Sequence, residues 1–290
     1  MGRPAPEIDL TPALVRRLIY DQHPDLGALE LAPGGTGWDN VTFRLGEHLA
    51  VRLPHRAAAA RLIEHEQRWL PVLERQLPLA VPSPVRIGRP QHSFPWAWSI
   101  VPWIKGRTAD RSSPAADQAE VLAAFLDALH TAPAGDAPRN PYRGMPLIER
   151  QAVFERCTQA LGGRGRPLAR PLASSWESAV SAPPALSPSW IHGDLHAHNV
   201  LVHRGRLSGV IDWGDLALGD PATDLAAVWM VLPQRRVRER ALRACRCPDA
   251  HAWVRARGWA LLIALLILEA QDAPLAPTAE ATLRALSEGP

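Results

Sequence analysis

The sequence predicts an α+β fold in two lobes, a small antiparallel sheet with one helix followed by a larger, mainly helical unit. Three observations carry this. Short apolar runs broken by glycine and proline fill the first hundred residues, helical apolar spacing dominates the rest, and the texture changes at one place, near Gly106. The domains follow: 1–101 is the front lobe, 102–106 a hinge and 107–290 the back lobe.

Each element has a local reason. "TPALVRRLIYDQHP" (11–24) opens with a Thr-Pro helix start and keeps amphipathic spacing. "LELAPGGTGWDNVTFRLGEHLAVRLP" (29–54) reads as three strands, with turns at "PGGTGWDN" and "GEH". "AAAARLIEHEQRWLPVLERQ" (57–76) is a helix with Leu62, Trp69, Leu70 and Leu73 near one face. "LAVPSPVRIG" and "WAWSIVPWI" are strand-like. Beyond the hinge, "ADQAEVLAAFLDALHTA" (116–132) is a strong helix, followed by a Pro/Gly-rich connection (133–146) and helical segments near 147–161 and 173–181. Two strands follow, one in "WIHGDLHAHNVLV" (190–202) and one in "RLSGVIDW" (206–213). The remainder is helical, broken at Pro233, Pro248 and Pro274.

Composition excludes several classes. A chain of 290 residues with 47% hydrophobic and 21% charged residues has the make-up of a soluble globular protein. Its net charge of +3, with no basic run interleaved with aromatics, argues against nucleic acid. Three cysteines, Cys157, Cys245 and Cys247, give no disulfide framework, so a reducing cytoplasm is expected. "MGRPAPEIDL" lacks the apolar core of a leader. The most apolar run, 259–268, is about half of the ~20 residues a membrane span needs, which predicts a buried helix and no membrane partner.

The stretch 190–202 admits two chemistries. His192, Asp194, His196 and His198 share a parity, so an extended strand would line them up as zinc ligands, as in a hydrolase. That reading leaves the following "DWGD" unexplained. Phosphoryl transfer needs a carboxylate to orient the attacking hydroxyl and hard oxygen ligands for Mg²⁺. The pattern H-x-D-x-x-x-x-N, then a strand ending in Asp, supplies both: Asp194 for the hydroxyl, Asn199 and Asp212 for the metal, the last two brought together by a hairpin turning at "HRGR".

"HGDLHAHNVLV…GVIDWGDLALGDPATDLA" resembles the aminoglycoside phosphotransferase and choline-kinase branch of the protein-kinase-like fold. All three blocks of that branch stand in order within 35 residues, and the looser likeness extends over the front lobe. The resemblance implies a two-lobed kinase-like fold, ATP and Mg²⁺ as cofactors, and transfer of the γ-phosphate to a hydroxyl of a small molecule: an aminoglycoside or other antibiotic, or a metabolite. It implies that His192 supports the catalytic loop and that Asp220 and Asp224 brace it by hydrogen bonds.

Such enzymes hold the α/β-phosphates with a strand lysine paired to a helix glutamate. Here the sole lysine is Lys105, and the matching strand position in "LAVRLP" is Arg52. Arginine keeps the charge and grips phosphate bidentately. Its partner is Glu64 or Glu66, of which Glu66 has the better spacing. A nucleotide-binding pseudokinase is the alternative that the missing lysine raises. Gly35, Thr36, Gly37 and Asn40 would lie by the phosphates. Pro102 has no N–H, so the adenine-facing donor falls to Val101 or Trp103. The back lobe carries no D-F-G or A-P-E, which points away from peptide substrates. Acidic candidates for a cationic acceptor are Asp215, Glu269 and Asp272, yet from 139 onward 18 arginines face 14 acids. Sequence fixes neither the acceptor nor the oligomeric state.

Overall fold

Thr11 caps the first helix: its Oγ1 accepts the N–H of Leu14, and Pro12 takes the first helical position. This helix, α1 (Pro12–Gln22), buries Val15, Leu18 and Ile19 against the front-lobe sheet. The structure is a computed structural model in which residues 5–91, 94–132, 136–247 and 249–288 are described. The expected break at Pro248 and the first four residues of the chain lie outside them.

Five strands, β1 (Leu31–Thr36), β2 (Asn40–Leu45), β3 (Leu49–Pro54), β4 (Arg86–Gly88) and β5 (Trp98–Pro102), make one antiparallel sheet in the order β1-β2-β3-β5-β4. Phe43, Val51, Leu53, Trp98 and Ile100 form its core with α1. Helix α2 (Ala57–Leu73) connects β3 to the rest of the sheet. Its Leu70 and Leu73 turn away into the back-lobe core, as do Leu79 and Val81 just after it. Ala80 then bridges Gly209, with Val210 N–H donating to the Ala80 carbonyl at 2.9 Å. The lobes are therefore joined by backbone hydrogen bonding as well as by the connection after β5.

The back lobe begins with β6 (Arg107–Thr108) and α3 (Ala119–Leu129), then α4 (Gln151–Gly163) and α5 (Arg170–Ser181). Strands β7 (Ser189–Ile191), β8 (Val200–His203), β9 (Arg206–Val210) and β10 (Ala217–Gly219) pair as two small sheets, β6-β8-β9 and β10-β7. Strand β10 went unforeseen because three residues, one of them glycine, give no alternation to read. Helices α6 (Ala222–Leu225), α7 (Ala227–Val231), α8 (Arg235–Ala244), α9 (Ala252–Ala270) and α10 (Ala276–Ser287) complete the lobe. The apolar run 259–268 lies in α9, which is buried nearly all round. No helix among the described residues is long and apolar enough to cross a membrane.

Candidate functional site

The stretch that offered the zinc reading is not extended. Strand β7 ends at Ile191, and residues 192–199 form a loop, so parity no longer places the histidines on one face. Each takes a different partner. His192 Nε2 lies 3.0 Å from the Ile211 carbonyl, His196 Nε2 3.3 Å from Asp194 Oδ2, and His198 Nε2 3.4 Å from Asp110 Oδ2.

Backbone geometry fixes this loop. Gly193 has φ 86°, and a Cβ there would stand 2.7 Å from the Asp215 carbonyl oxygen, so only glycine fits. Asp224 accepts the N–H groups of His192 (2.6 Å) and Gly193 (2.9 Å). His192 Nδ1 accepts the Asp194 N–H at 3.2 Å, which makes Nε2 the protonated nitrogen that donates to Ile211. Asp224 and His192 both hydrogen-bond to backbone N–H groups of the loop. Asp220 does not touch it: Asp220 accepts from Ala222 N at the start of α6 and from Arg255 on α9 at 2.6 Å. It ties α6 to α9 instead.

The turn after β8 has Arg204 at φ 51° and Gly205 at φ 78°, the left-handed pair of a tight hairpin. It aligns Val200 with Val210, and Ile211 N–H donates to the Asn199 carbonyl at 2.9 Å. Asn199 and Asp212 therefore meet at one end of the hairpin. Asn199 Nδ2 donates to the Asp194 carbonyl at 2.8 Å, which orients the amide and leaves Oδ1 as its remaining acceptor. Asp212 takes a left-handed backbone (φ 62°), and its side chain is 50% exposed.

A cleft of about 650 Å³ opens between the two lobes. The β1–β2 hairpin forms its roof, turned tightly by Gly37 N–H to the Asn40 carbonyl at 2.8 Å. Gly35, Thr36, Gly37 and Asn40 line it, as do Arg52, Val101 and Trp103. Asn199 and Asp212 close the opposite wall. Asn40 Oδ1 is buried there without a hydrogen-bond partner among the described residues, and the hard oxygens of Asn199 and Asp212 face the same space. This donor set suits a divalent cation and its phosphate-bearing ligand. Trp103 fails as the base-facing donor, because its N–H bonds the His48 carbonyl at 2.7 Å and continues the β3–β5 ladder. The next residue, Ile104, also lines the cleft, and its N–H has no acceptor among the described residues.

Arg52 reaches across the cleft wall. Its Nη1 donates to Glu66 at 2.9 Å and its Nη2 to Asp212 at 3.4 Å. Glu64 is not the partner. Burial pushes the Glu66 carboxyl up to about 7, with Arg52 opposing and Asp212 adding to the rise.

On the far side of Asn199, Asp194 is held by Arg143, which sequence reading missed. Arg143 Nη2 donates to Asp194 Oδ1 at 2.9 Å, and its Nε lies 3.8 Å from Asp215 Oδ2. Burial would raise the Asp194 carboxyl, but the charges of His196 and Arg143 outweigh it and hold it well below the usual carboxylate range. Burial lowers His196, and Asp194 more than restores it, so this imidazole is raised. Asp215 shares the site, whereas Glu269 does not offer a free carboxylate. Both Glu269 oxygens accept from Arg156, at 2.7 and 2.8 Å, and one also from the Cys157 thiol. Asp272, before α10, lies near enough to act electrostatically on His198. The back-lobe tryptophans are core rather than cleft wall: Trp176, Trp190, Trp213, Trp229 and Trp259 are buried, and Trp253 packs against that core half-buried. Trp38 and Arg111 line the cleft without a spacing signal that could have announced them, and His198, which the parity offered as a zinc ligand, lines it as well.

Residues 30–259 match the profile of the phosphotransferase enzyme family known as APH. Viomycin phosphotransferase of Streptomyces vinaceus is 36% identical over 97 residues, 32% of this chain and 31% of that protein. An aminoglycoside 3'-phosphotransferase of Salmonella typhimurium is 27% identical over 143 residues, 47% of this chain and 53% of that protein. The chain thus spans 31% and 53% of the length of these two curated relatives. Among solved structures, the GDP complex of aminoglycoside 2'-phosphotransferase-IIIa superposes with a TM-score of 0.69 at 18% identity, covering 96% of this chain and 100% of that one. Macrolide 2'-phosphotransferase from Brachybacterium faecium gives 0.58 at 21%, covering 93% and 97%. At these identities the likeness shows the two-lobed kinase-like fold.

Proposed function

The chain belongs to the phosphotransferase enzyme family, and on that premise we propose that it transfers the γ-phosphate of ATP to a hydroxyl of a small molecule, an antibiotic or a metabolite. One observation carries the reading: Asn199 and Asp212 share a cleft wall opposite the glycine hairpin, and Asn199 is hydrogen-bonded to Asp194. Phosphate site, metal ligands and hydroxyl-orienting carboxylate thus follow one another in space in the order that in-line transfer requires.

In this reading Gly35, Thr36, Gly37 and Asn40 cover the phosphates, and Arg52, steadied by Glu66, grips the α- and β-phosphates. Val101 lies against the base, and the N–H of Ile104 replaces that of Trp103 as the donor. Asn199 and Asp212 hold Mg²⁺. When bound, Mg²⁺ supplies charge neutralisation at the phosphate oxygens. Asp194 orients the acceptor hydroxyl and takes its proton late; its depressed pKa makes it a weak base, so orientation is its main contribution. We place the lobe division at 102–106 and the protein in the cytoplasm, the latter on three unbridged cysteines.

Incubation with Mg-ATP and a panel of hydroxylated antibiotics and metabolites tests this directly. Formation of a phosphorylated acceptor together with ADP, dependent on Mg²⁺, is the expected result. Failure to bind Mg-nucleotide in calorimetry would sink it.

A further inference from the structure

The Pro/Gly-rich connection after α3 looks featureless in sequence, yet it is built to deliver one side chain. Asn140 Oδ1 accepts the N–H groups of Tyr142 (2.8 Å) and Arg143 (3.1 Å), closing a turn, while its Nδ2 donates to Asp215 Oδ1 at 2.6 Å. Gly144 has φ 68°, and a Cβ there would lie 2.5 Å from Ile191 Cδ1 and 2.7 Å from Gly219 Cα. Both ends of the segment are bonded to β10 and its flank: Leu218 N–H to the Pro138 carbonyl and Asp220 N–H to the Gly144 carbonyl, each at 2.8 Å. The loop is pinned at three points, and Arg143 projects from it between Asp194 and Asp215 with 16% of its side chain exposed.

The charges around this point are consistent. Asp194 faces Arg143 on one oxygen and His196 on the other. Asp215 is occupied by Asn140 and Arg143. Arg150 stands beside Tyr142, close enough to Arg143 for the two cations to repel, and has no carboxylate partner among the described residues. Arg156 holds Glu269. A polycationic acceptor needs free carboxylates around its ammonium groups. Here Asp194, Asp215 and Glu269 already have cations or donors, and among the described residues Arg150 is left over.

We infer that Arg143 is the specificity-determining residue of the acceptor site, and that it makes the site one for hydroxyl compounds bearing no positive charge beside the reacting hydroxyl. The inference rests on the phosphotransferase reading for the meaning of "acceptor". Its physical content is independent of turnover: Arg143 neutralises Asp194 and Asp215 as receptors for cations, and removing its charge should create a cation site.

The test is titration calorimetry of the full chain at low ionic strength with kanamycin as the polycationic probe, on the wild type, Arg143→Gln, Arg143→Met and Arg143→Lys. The wild type should bind weakly, with Kd above about 1 mM. Arg143→Gln, or Arg143→Met if the glutamine variant fails to fold, should bind at least tenfold tighter. Arg143→Lys, which retains the charge, should behave as wild type, a rescue that a merely structural role would not produce. Micromolar binding by the wild type overturns the inference even if no variant folds. So does unchanged affinity in a folded Arg143→Gln or Arg143→Met. A parallel titration with a Mg²⁺-loaded non-hydrolysable ATP analogue separates the two claims. Its failure to bind would remove the phosphotransferase reading, and the kanamycin titrations would still decide the role of Arg143.

Discussion

Two arginines each lie between two acids, on opposite sides of Asn199. Arg52 bridges Glu66 and Asp212 in the cleft wall, and Arg143 bridges Asp194 and Asp215 beyond it. They differ in what holds them. Arg52 stands on β3 in a regular ladder, opposite Thr42 and Ser99, with its partner on the helix packed behind. Arg143 stands on a loop, fixed by an asparagine turn and a glycine that must approach other backbone closely. The first arrangement is repetitive and the second is assembled from single contacts. The same charge pattern therefore comes with very different visibility in the sequence.

The functional contrast is sharpest at Asp194. Asp194→Asn keeps the size and one acceptor oxygen but removes the charge that, in the proposed mechanism, orients the hydroxyl. It should lower kcat by roughly two to four orders of magnitude, the scale of a positioned acid–base group, measured as ADP release with an acceptor or with water. Near-normal turnover would make the Asp194 end of the comparison structural.

At the other end, Arg52→Ala removes the guanidinium proposed to grip phosphate. It should raise the KM for ATP by about tenfold to a hundredfold and leave that of the acceptor nearly unchanged. Unchanged ATP affinity would move the phosphate grip away from β3.

The smallest expected effect concerns the buried partner. The folded pKa of Glu66 is raised to about 7 from an unfolded value of 4.5. Between these values the folded state holds more protons than the unfolded one, so stability falls as pH rises through this window. Below pH 4.5 the penalty is absent, and above 7 it is complete. Glu66→Gln, which cannot ionise, should lose this slope, and its melting temperature relative to wild type should rise by several degrees between pH 5 and pH 8. The underlying penalty is up to about 3 kcal/mol. A pH-independent difference would mean that Arg52 compensates the buried charge in full.

Much of the site was legible because its spacing is constrained by regular structure. Asp194, Asn199 and Asp212 are separated by one loop and one hairpin of fixed length, so the sequence interval carries the geometry. Strand alternation located Arg52, and helix periodicity located Glu66. The errors have physical causes. The zinc reading assumed a strand where Gly193, with its positive φ, turns the chain. Trp103 was offered as a donor because pairing along β3 is a tertiary fact that no local pattern shows. Asp220 sits in the right motif but faces Arg255, a residue 35 positions away. Glu269 was read as available because Arg156, 113 positions distant, carries no signal of its partner. Arg143 was one arginine among many in a Pro/Gly-rich connection, and only the assembled fold aims it.

The central claim is a division of labour: Asp212 serves nucleotide and metal, Asp194 serves the acceptor. Calorimetric binding of a Mg²⁺-loaded non-hydrolysable ATP analogue to Asp194→Asn and Asp212→Asn, side by side with the wild type, tests it most directly. The account predicts wild-type affinity for Asp194→Asn and at least about tenfold weaker binding for Asp212→Asn, the loss of one charged ligand contact. Equal loss in both variants, or loss confined to Asp194→Asn, would contradict it.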